Sequence, residues 1–137
     1  MKPDFWPALP RPHFSLAPME DVTDTVFREV VLAASHPDCL HVLFCEFTST
    51  DGLCHPEGKR KVGQRLLVNE SERRLLRERG VKLVAQIWGA NPERYRLAVR
   101  QIRQEMDFDG IDINMGCPVK DVVKTGACSA LIGDPER

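Results

Sequence analysis

Short apolar runs and longer amphipathic stretches alternate along this chain. Residues 14–17 form a brief apolar run closed by Pro18, the pattern of a buried strand running into a loop. A polar stretch, Glu20-Asp21-Val22-Thr23-Asp24, supplies N-cap chemistry for a helix. Beyond it Val26, Phe27, Val30, Val31 and Ala34 recur at helical spacing, so their stripe is expected to face the core. Residues 40–47 (LHVLFCEF) are rich in β-formers and uncharged until Glu46, which predicts a second buried strand. Residues 48–63 mix glycine, proline and charge without a period and read as a long loop. Residues 70–79 predict a helix with Asn69 or Ser71 as cap and Gly80 as stop. Residues 83–88 (LVAQIW) predict a third strand. Asn91 and Pro92 then open a helix in the favoured way, as N-cap and first helical residue, and it runs through Met106. Residues 111–113 predict a fourth strand, broken by Gly116-Cys117-Pro118, and Gly133-Asp134-Pro135-Glu136 looks like the start of another helix.

Residues 1–13 contain Pro3, Pro7, Pro10 and Pro12 with Phe5 and Trp6, and are expected to be an extended lead-in. From residue 14 onward, strands alternate with helices, which argues a parallel α/β sheet with right-handed crossovers. Periodicity alone leaves two closures open: a doubly wound sheet, or part of an eight-stranded barrel. Both collect their chemistry at the C-terminal ends of the strands.

Composition narrows the class. Nineteen Lys+Arg against twenty Asp+Glu leave a net charge of -1, so no global basic field announces a nucleic-acid binder. The stretch 57–82 is an exception, with nine basic against four acidic residues. It could meet phosphates, although such runs are more often solvated helix faces with i,i+4 pairs. The five cysteines include no CxxC pair, so neither a disulfide scaffold nor a zinc site is expected. Cys39 and Cys45 read as small buried hydrophobes. No apolar run reaches the ~18–20 residues of a membrane span, and the first residues lack the basic and apolar regions of a secretory leader. A soluble protein in a reducing, cytoplasmic setting is expected, with no metal.

The strand ends carry the unusual residues. Gln86 stands between Ala85 and Ile87, where a buried amide must find partners or cost about 1–3 kcal/mol. An amide offers a donor and an acceptor, which suits the polar edge of a flavin or a nucleobase; neighbouring backbone would satisfy it as well. Asp112 and Asn114 alternate with Ile111 and Ile113, so both are expected on the site-facing side. Pro118 holds Cys117 away from helical torsions, and Gly116 lets a planar ring or another backbone approach. An ordinary thiol, with a pKa of about 8.5, is mostly protonated near neutrality and can act as a general acid without tuning.

Three segments together resemble the tRNA-dihydrouridine synthases. They are Ala17-Pro18-Met19-Glu20-Asp21-Val22-Thr23-Asp24 with Val26-Phe27-Arg28, then Ala85-Gln86-Ile87-Trp88-Gly89 with Asn91-Pro92, and Gly110-Ile111-Asp112-Ile113-Asn114-Met115-Gly116-Cys117-Pro118. Behind the last come Gly126, Ser129-Ala130-Leu131 and Asp134-Pro135. The resemblance implies an FMN-binding (β/α)8 TIM barrel followed by a helical domain that grips tRNA. It implies that Pro18, Met19, Glu20 and Gln86 contact FMN, that Asn114 helps hold a flipped-out uracil, and that Cys117 is the catalytic acid. NADPH would be the electron donor, hydride reaching C6 of a D-loop uridine while Cys117 protonates C5. Since a whole barrel needs about 250 residues, residues 14–137 are expected to be a truncated N-terminal half, inactive by itself. Cys128 stands where these proteins usually carry glycine. A flavin barrel acting on a free pyrimidine, like dihydroorotate or dihydropyrimidine dehydrogenases, shares the opening motif but not the whole Asn114–Pro118 string. A non-catalytic RNA-binding module built on 57–82 is the alternative outside enzymes.

Overall fold

The computed structural model describes residues 4–134 and 136. Five strands, β1 (Ser15–Leu16), β2 (Val42–Phe44), β3 (Thr48–Ser49), β4 (Lys82–Trp88) and β5 (Gly110–Ile113), form one sheet. Every pairing in it is parallel. β2 and β3 lie on the same flank of β4 and behave as one interrupted strand. Phe44 pairs with Val84 and Thr48 with Ile87, so four steps on one side answer three on the other. The extra residue is a β-bulge, and it splits the single strand expected over 40–47. The spatial order is therefore β1, β2/β3, β4, β5, without reversal. A doubly wound sheet reverses its strand order at a switch point; this one does not.

The helices agree. Leu32 of α1 (Thr25–Ala34), Leu76 of α4 (Glu70–Arg79), and Ala98 and Ile102 of α5 (Pro92–Glu105) join Leu43, Leu83, Ala85 and Ile87 in one buried cluster. All three helices thus cover one face of the sheet, as in a singly wound barrel, and the chain is a truncated (β/α)8 segment. On the other face Val42 and Val84 are buried outside that cluster. Phe5 closes this inner face at its N-terminal end: a Cβ on Gly110 would lie 3.1 Å from Phe5 Cε1 and 3.5 Å from Val84 Cγ2. Residues 6–8 form a 3-10 turn with Trp6 stacked on Phe5 at 4.7 Å, so the lead-in is folded onto the sheet where the prolines predict an extended arm. Pro3 and Pro135 lie outside the described residues.

Other expectations need correction. Residues 48–63 are not a long loop; they hold β3, α2 (Thr50–Leu53), α3 (Pro56–Val62) and the start of a 3-10 turn at Gly63–Leu66. His55 and Ser49 cap α3 and α2, accepting from Gly58 N and Gly52 N. A short helix, α6 (Lys120–Val123), comes after the break at Pro118, and the Gly133 segment ends a 3-10 turn over Cys128–Gly133. Cys45 is buried as expected, but Cys39 is exposed. Asn91 caps α5 as expected, accepting from the N–H groups of Glu93 and Arg94. Asn69 occupies the cap position of α4 without a side-chain bond, and Gly80 ends the helix in the left-handed conformation.

The largest departure is the face that α1 buries. Val26 and Val30 are about 60% exposed, whereas Thr25, Arg28 and Leu32 point inward. Arg28 is fully buried and grips Glu72 of α4 with two bonds, Nε to Oε1 at 2.7 Å and Nη2 to Oε2 at 2.9 Å. Thr25 donates to the same carboxylate at 2.5 Å. Nη1 and Nη2 also donate to the carbonyls of Thr23 and Leu67, so four hydrogen bonds hold the guanidinium. Burial disfavours the Arg28 charge, but the groups of Cys45 and Glu72 outweigh it, and its pKa is raised. Once formed, this pair dictates which side of α1 faces inward, because a buried charge cannot be left unmatched.

Glu72→Ala strands the guanidinium, so a loss of about 3–5 kcal/mol is expected, read from the urea midpoint. The double variant Arg28→Met/Glu72→Leu should recover most of that loss. Equal stabilities for Glu72→Ala and the unaltered chain would show that the pair does not organise the fold.

Candidate functional site

The C-terminal strand ends gather the polar residues. Gln86 and Asp112 are register partners on β4 and β5, and their side chains meet: Gln86 Nε2 donates to Asp112 Oδ2 at 2.7 Å. Asn114, just past β5, extends the ladder by donating its N–H to the Ile87 carbonyl at 2.9 Å. Its side chain then works in two directions. Nδ2 donates to Gln86 Oε1 at 3.1 Å, and Oδ1 accepts from the N–H groups of Gly116 and Cys117 at 3.1 and 3.0 Å. The second pair of bonds closes an Asx-type turn, the local structure that asparagine stabilises best. Asn114 is buried, while Cys117 is half-buried, so the turn carries the thiol to the surface of the site.

Gln86, Asp112, Asn114 and the Cys117 backbone thus form one hydrogen-bonded chain across two strand tips. Each amide keeps capacity in hand. Gln86 retains one N–H and one carbonyl lone pair, and Asn114 one N–H, a donor–acceptor set suited to the edge of a heterocycle. Those unused positions fit a flavin or a pyrimidine.

The loop after β1 is organised separately. Thr23, fully buried, accepts from Met19 N at 2.9 Å and donates to Met19 O at 3.0 Å, which closes the Met19–Thr23 turn. Asp21 adopts a φ of 57° and donates its N–H to Glu46 Oε1 at 2.7 Å. Glu46 is buried between β2 and β3, and its carboxylate reaches this loop. Pro18 is half-buried and Met19 exposed, so both can be reached. Glu20 pairs with Arg65 at 2.6 Å, and Arg65 also donates to the Phe47 carbonyl at 3.3 Å. Glu20 is therefore engaged with the strand-two connection.

That pairing also bears on the basic stretch. Lys59 bonds Glu105, Arg73 pairs with Asp107, Arg74 with Glu78, and Arg79 donates to the carbonyls of Ser35 and Ala33. Most of these cations hold the fold together, which favours the solvated-face reading over a phosphate surface. Among the described residues no group of three or more His, Cys, Asp or Glu side chains could hold a metal, and no helix is long and apolar enough to cross a membrane.

Sequence reasoning missed Thr23, Arg65 and the Arg28–Glu72 pair. For Glu72 a signal existed: it stands four residues before Leu76, on the side of α4 that turns inward.

The sequence model of the family described as "Dihydrouridine synthase (Dus)" matches residues 15–137. The chain is similar to a "Probable tRNA-dihydrouridine synthase" of Staphylococcus aureus (strain COL), 51% identical over 136 residues, covering 99% of this chain and 38% of that protein. A protein of the same name from Staphylococcus epidermidis is 50% identical over the same span. A "Probable tRNA-dihydrouridine synthase 2" of Bacillus subtilis (strain 168) is 48% identical over 135 residues, 98% of this chain. The chain spans 38% of the length of these curated relatives.

Asn114→Ala removes the acceptor shared by two N–H groups, and a loss of about 1–3 kcal/mol is expected. Hydrogen exchange at the Gly116 and Cys117 amides should quicken while strand amides keep their protection. Unchanged protection at both would mean that another group holds the turn.

Proposed function

From the premise that this chain belongs to the dihydrouridine synthase family, we propose that it forms the flavin- and uracil-facing part of an enzyme that reduces uridine to 5,6-dihydrouridine in the D-loop of tRNA. The observation that carries the reading is the Asn114 turn, which couples the Gln86 amide to the backbone N–H of Cys117.

In this proposal the remaining donor and acceptor of Gln86 bind the polar edge of FMN, and the Pro18-Met19-Glu20 segment borders the ring. Asp112 fixes which end of the Gln86 amide donates, since a carboxylate oxygen can only accept. The second N–H of Asn114 would bind a carbonyl of the flipped-out uracil. FMN, reduced by NADPH, would supply the hydride that C6 of the uracil receives. Cys117 would give its proton to C5, so that the C5–C6 double bond gains one hydride and one proton in balance. A neutral thiol suits this task, and taking the base out of its stack exposes both carbons. A tRNA substrate implies a cytoplasmic protein. The unpaired flanks of β1 and β5 are where the remaining strands of a barrel would join.

Three measurements on the full-length protein test this. Cys117→Ala should keep the flavin absorbance yet lose about 10²–10⁴-fold in uridine reduction, the span that general acids contribute. Full turnover by that variant would refute the acid role. Gln86→Leu should release FMN more readily; unaltered retention would make Gln86 structural. Unmodified tRNA should be reduced and free uracil or dihydroorotate left unchanged, and the reverse would favour a free-pyrimidine enzyme.

A further inference from the structure

The loop after β1 is held in a conformation it would not adopt alone. Asp21, at a φ of 57°, occupies the left-handed region that ordinarily favours glycine. Such backbone persists only where its surroundings over-determine it, and it concentrates where a protein clamps a ligand. Two side chains from outside the loop supply the restraint. Glu46 accepts the Asp21 N–H at 2.7 Å. Arg65 places Nη2 2.6 Å from Glu20 Oε1 and 3.8 Å from Asp21 Oδ1, while its Nη1 donates to the Phe47 carbonyl at 3.3 Å.

Arg65 projects from a fixed base. It lies in the 3-10 turn Gly63–Leu66, the adjoining Leu66 is buried, and the Leu67 carbonyl accepts from Arg28 at 2.8 Å. Its guanidinium also separates carboxylates, those of Glu20 and Asp21, that would otherwise repel each other and Glu46. We propose that Arg65 is a positioning residue for the flavin, and that Glu20 acts on the cofactor through Arg65 instead of touching it. The Arg65–Glu20 pair latches the loop in the shape that presents Pro18 and Met19 to the ring. A loop already in its bound shape loses less freedom when the ligand arrives, so the latch raises affinity without contributing a contact. The flavin role rests on the function proposed above, because it takes the loop to border FMN; the latch itself does not. Arg65 can be replaced without losing the fold, since Thr23 closes the Met19–Thr23 turn and Arg28 holds the Thr23 carbonyl independently of it.

Two measurements on the full-length protein test the proposal, one without cofactor and one with it. In the apoprotein, Arg65→Met leaves Glu46 to hold the left-handed residue alone, so hydrogen exchange at the Asp21 amide should quicken while β4 amides keep their protection. FMN is then titrated into each apoprotein and its fluorescence quenching read. Arg65→Met and Glu20→Gln should each weaken FMN binding about three- to tenfold, the span of one charge-assisted hydrogen bond. The double variant should bind no more weakly than the weaker single variant, because both changes remove the same contact. Arg65→Lys, which keeps the charge but loses the fork, should fall between parent and Arg65→Met. Equal Asp21 protection in parent and Arg65→Met overturns the latch whether or not FMN binds. Parent-like FMN affinity in Arg65→Met overturns the positioning role. Losses that add in the double variant overturn it as well, by making Glu20 a direct flavin ligand. A parent that binds no FMN, with quickened exchange in Arg65→Met, would instead refute the function proposed above and leave the latch standing.

Discussion

A buried guanidinium governs the arrangement of this molecule. Arg28 has no access to water, so every donor it carries must end on a protein acceptor. Those acceptors come from three places: the Glu72 carboxylate on α4, to which Thr25 also donates, the Thr23 carbonyl before α1, and the Leu67 carbonyl before α4. The rotation of α1, the seat of α4 and the entry of two loops are thereby coupled. The coupling reaches the rim, because Thr23 offers its carbonyl to Arg28 and its hydroxyl to the Met19 backbone. A charge at the back of the sheet thus holds the Pro18-Met19 turn at its front. The pair is not a large source of net stability, since desolvating both ions offsets much of their attraction. Its contribution is to make alternative packings of α1 expensive.

The parts of this fold legible in the sequence are those set by local rules. The strand at 82–88, the Asn91-Pro92 start of α5 and the Gly80 stop of α4 depend on side-chain alternation, capping and left-handed glycine, all of which are short-range. Local pattern misleads where a distant partner overrides it. Val26 and Val30 form a good apolar stripe, yet α1 turns them outward because Glu72, some forty residues away, claims Arg28. Residues 48–66 have no apolar period because their helices are too short to display one. Their capping residues Ser49 and His55 are the available sign. The bulge at 45–47 is invisible in the sequence because it exists only in the register against β4. The site is more legible than the fold around it: Gln86, Asp112, Asn114 and Cys117 break an apolar pattern at strand ends, where polar residues need a purpose.

The inner face of the sheet is divided along its length. At the N-terminal end Phe5 packs over Gly110, and Val42 and Val84 are buried. At the C-terminal end the same face turns to Gln86 and Asp112, and above them the Asn114 turn. The polar side chains thus gather at one rim while apolar ones fill the other end, the layout of a packed barrel. The bulge serves the same rim. It aims Glu46 at the Asp21 N–H and so couples the loop after the first strand to the second.

Asn114 and the turn at Cys128 both bear on the Cys117 loop. Asn114 acts on the backbone, fixing where the loop stands through two N–H bonds. The turn through Gly126 and Cys128 acts on the backbone too, Ser129 donating its N–H to the Cys117 carbonyl at 3.3 Å. The same geometry explains why the cysteine composition is uninformative. Cys117 and Cys128 share no spacing motif, and only the Gly126 turn brings them together.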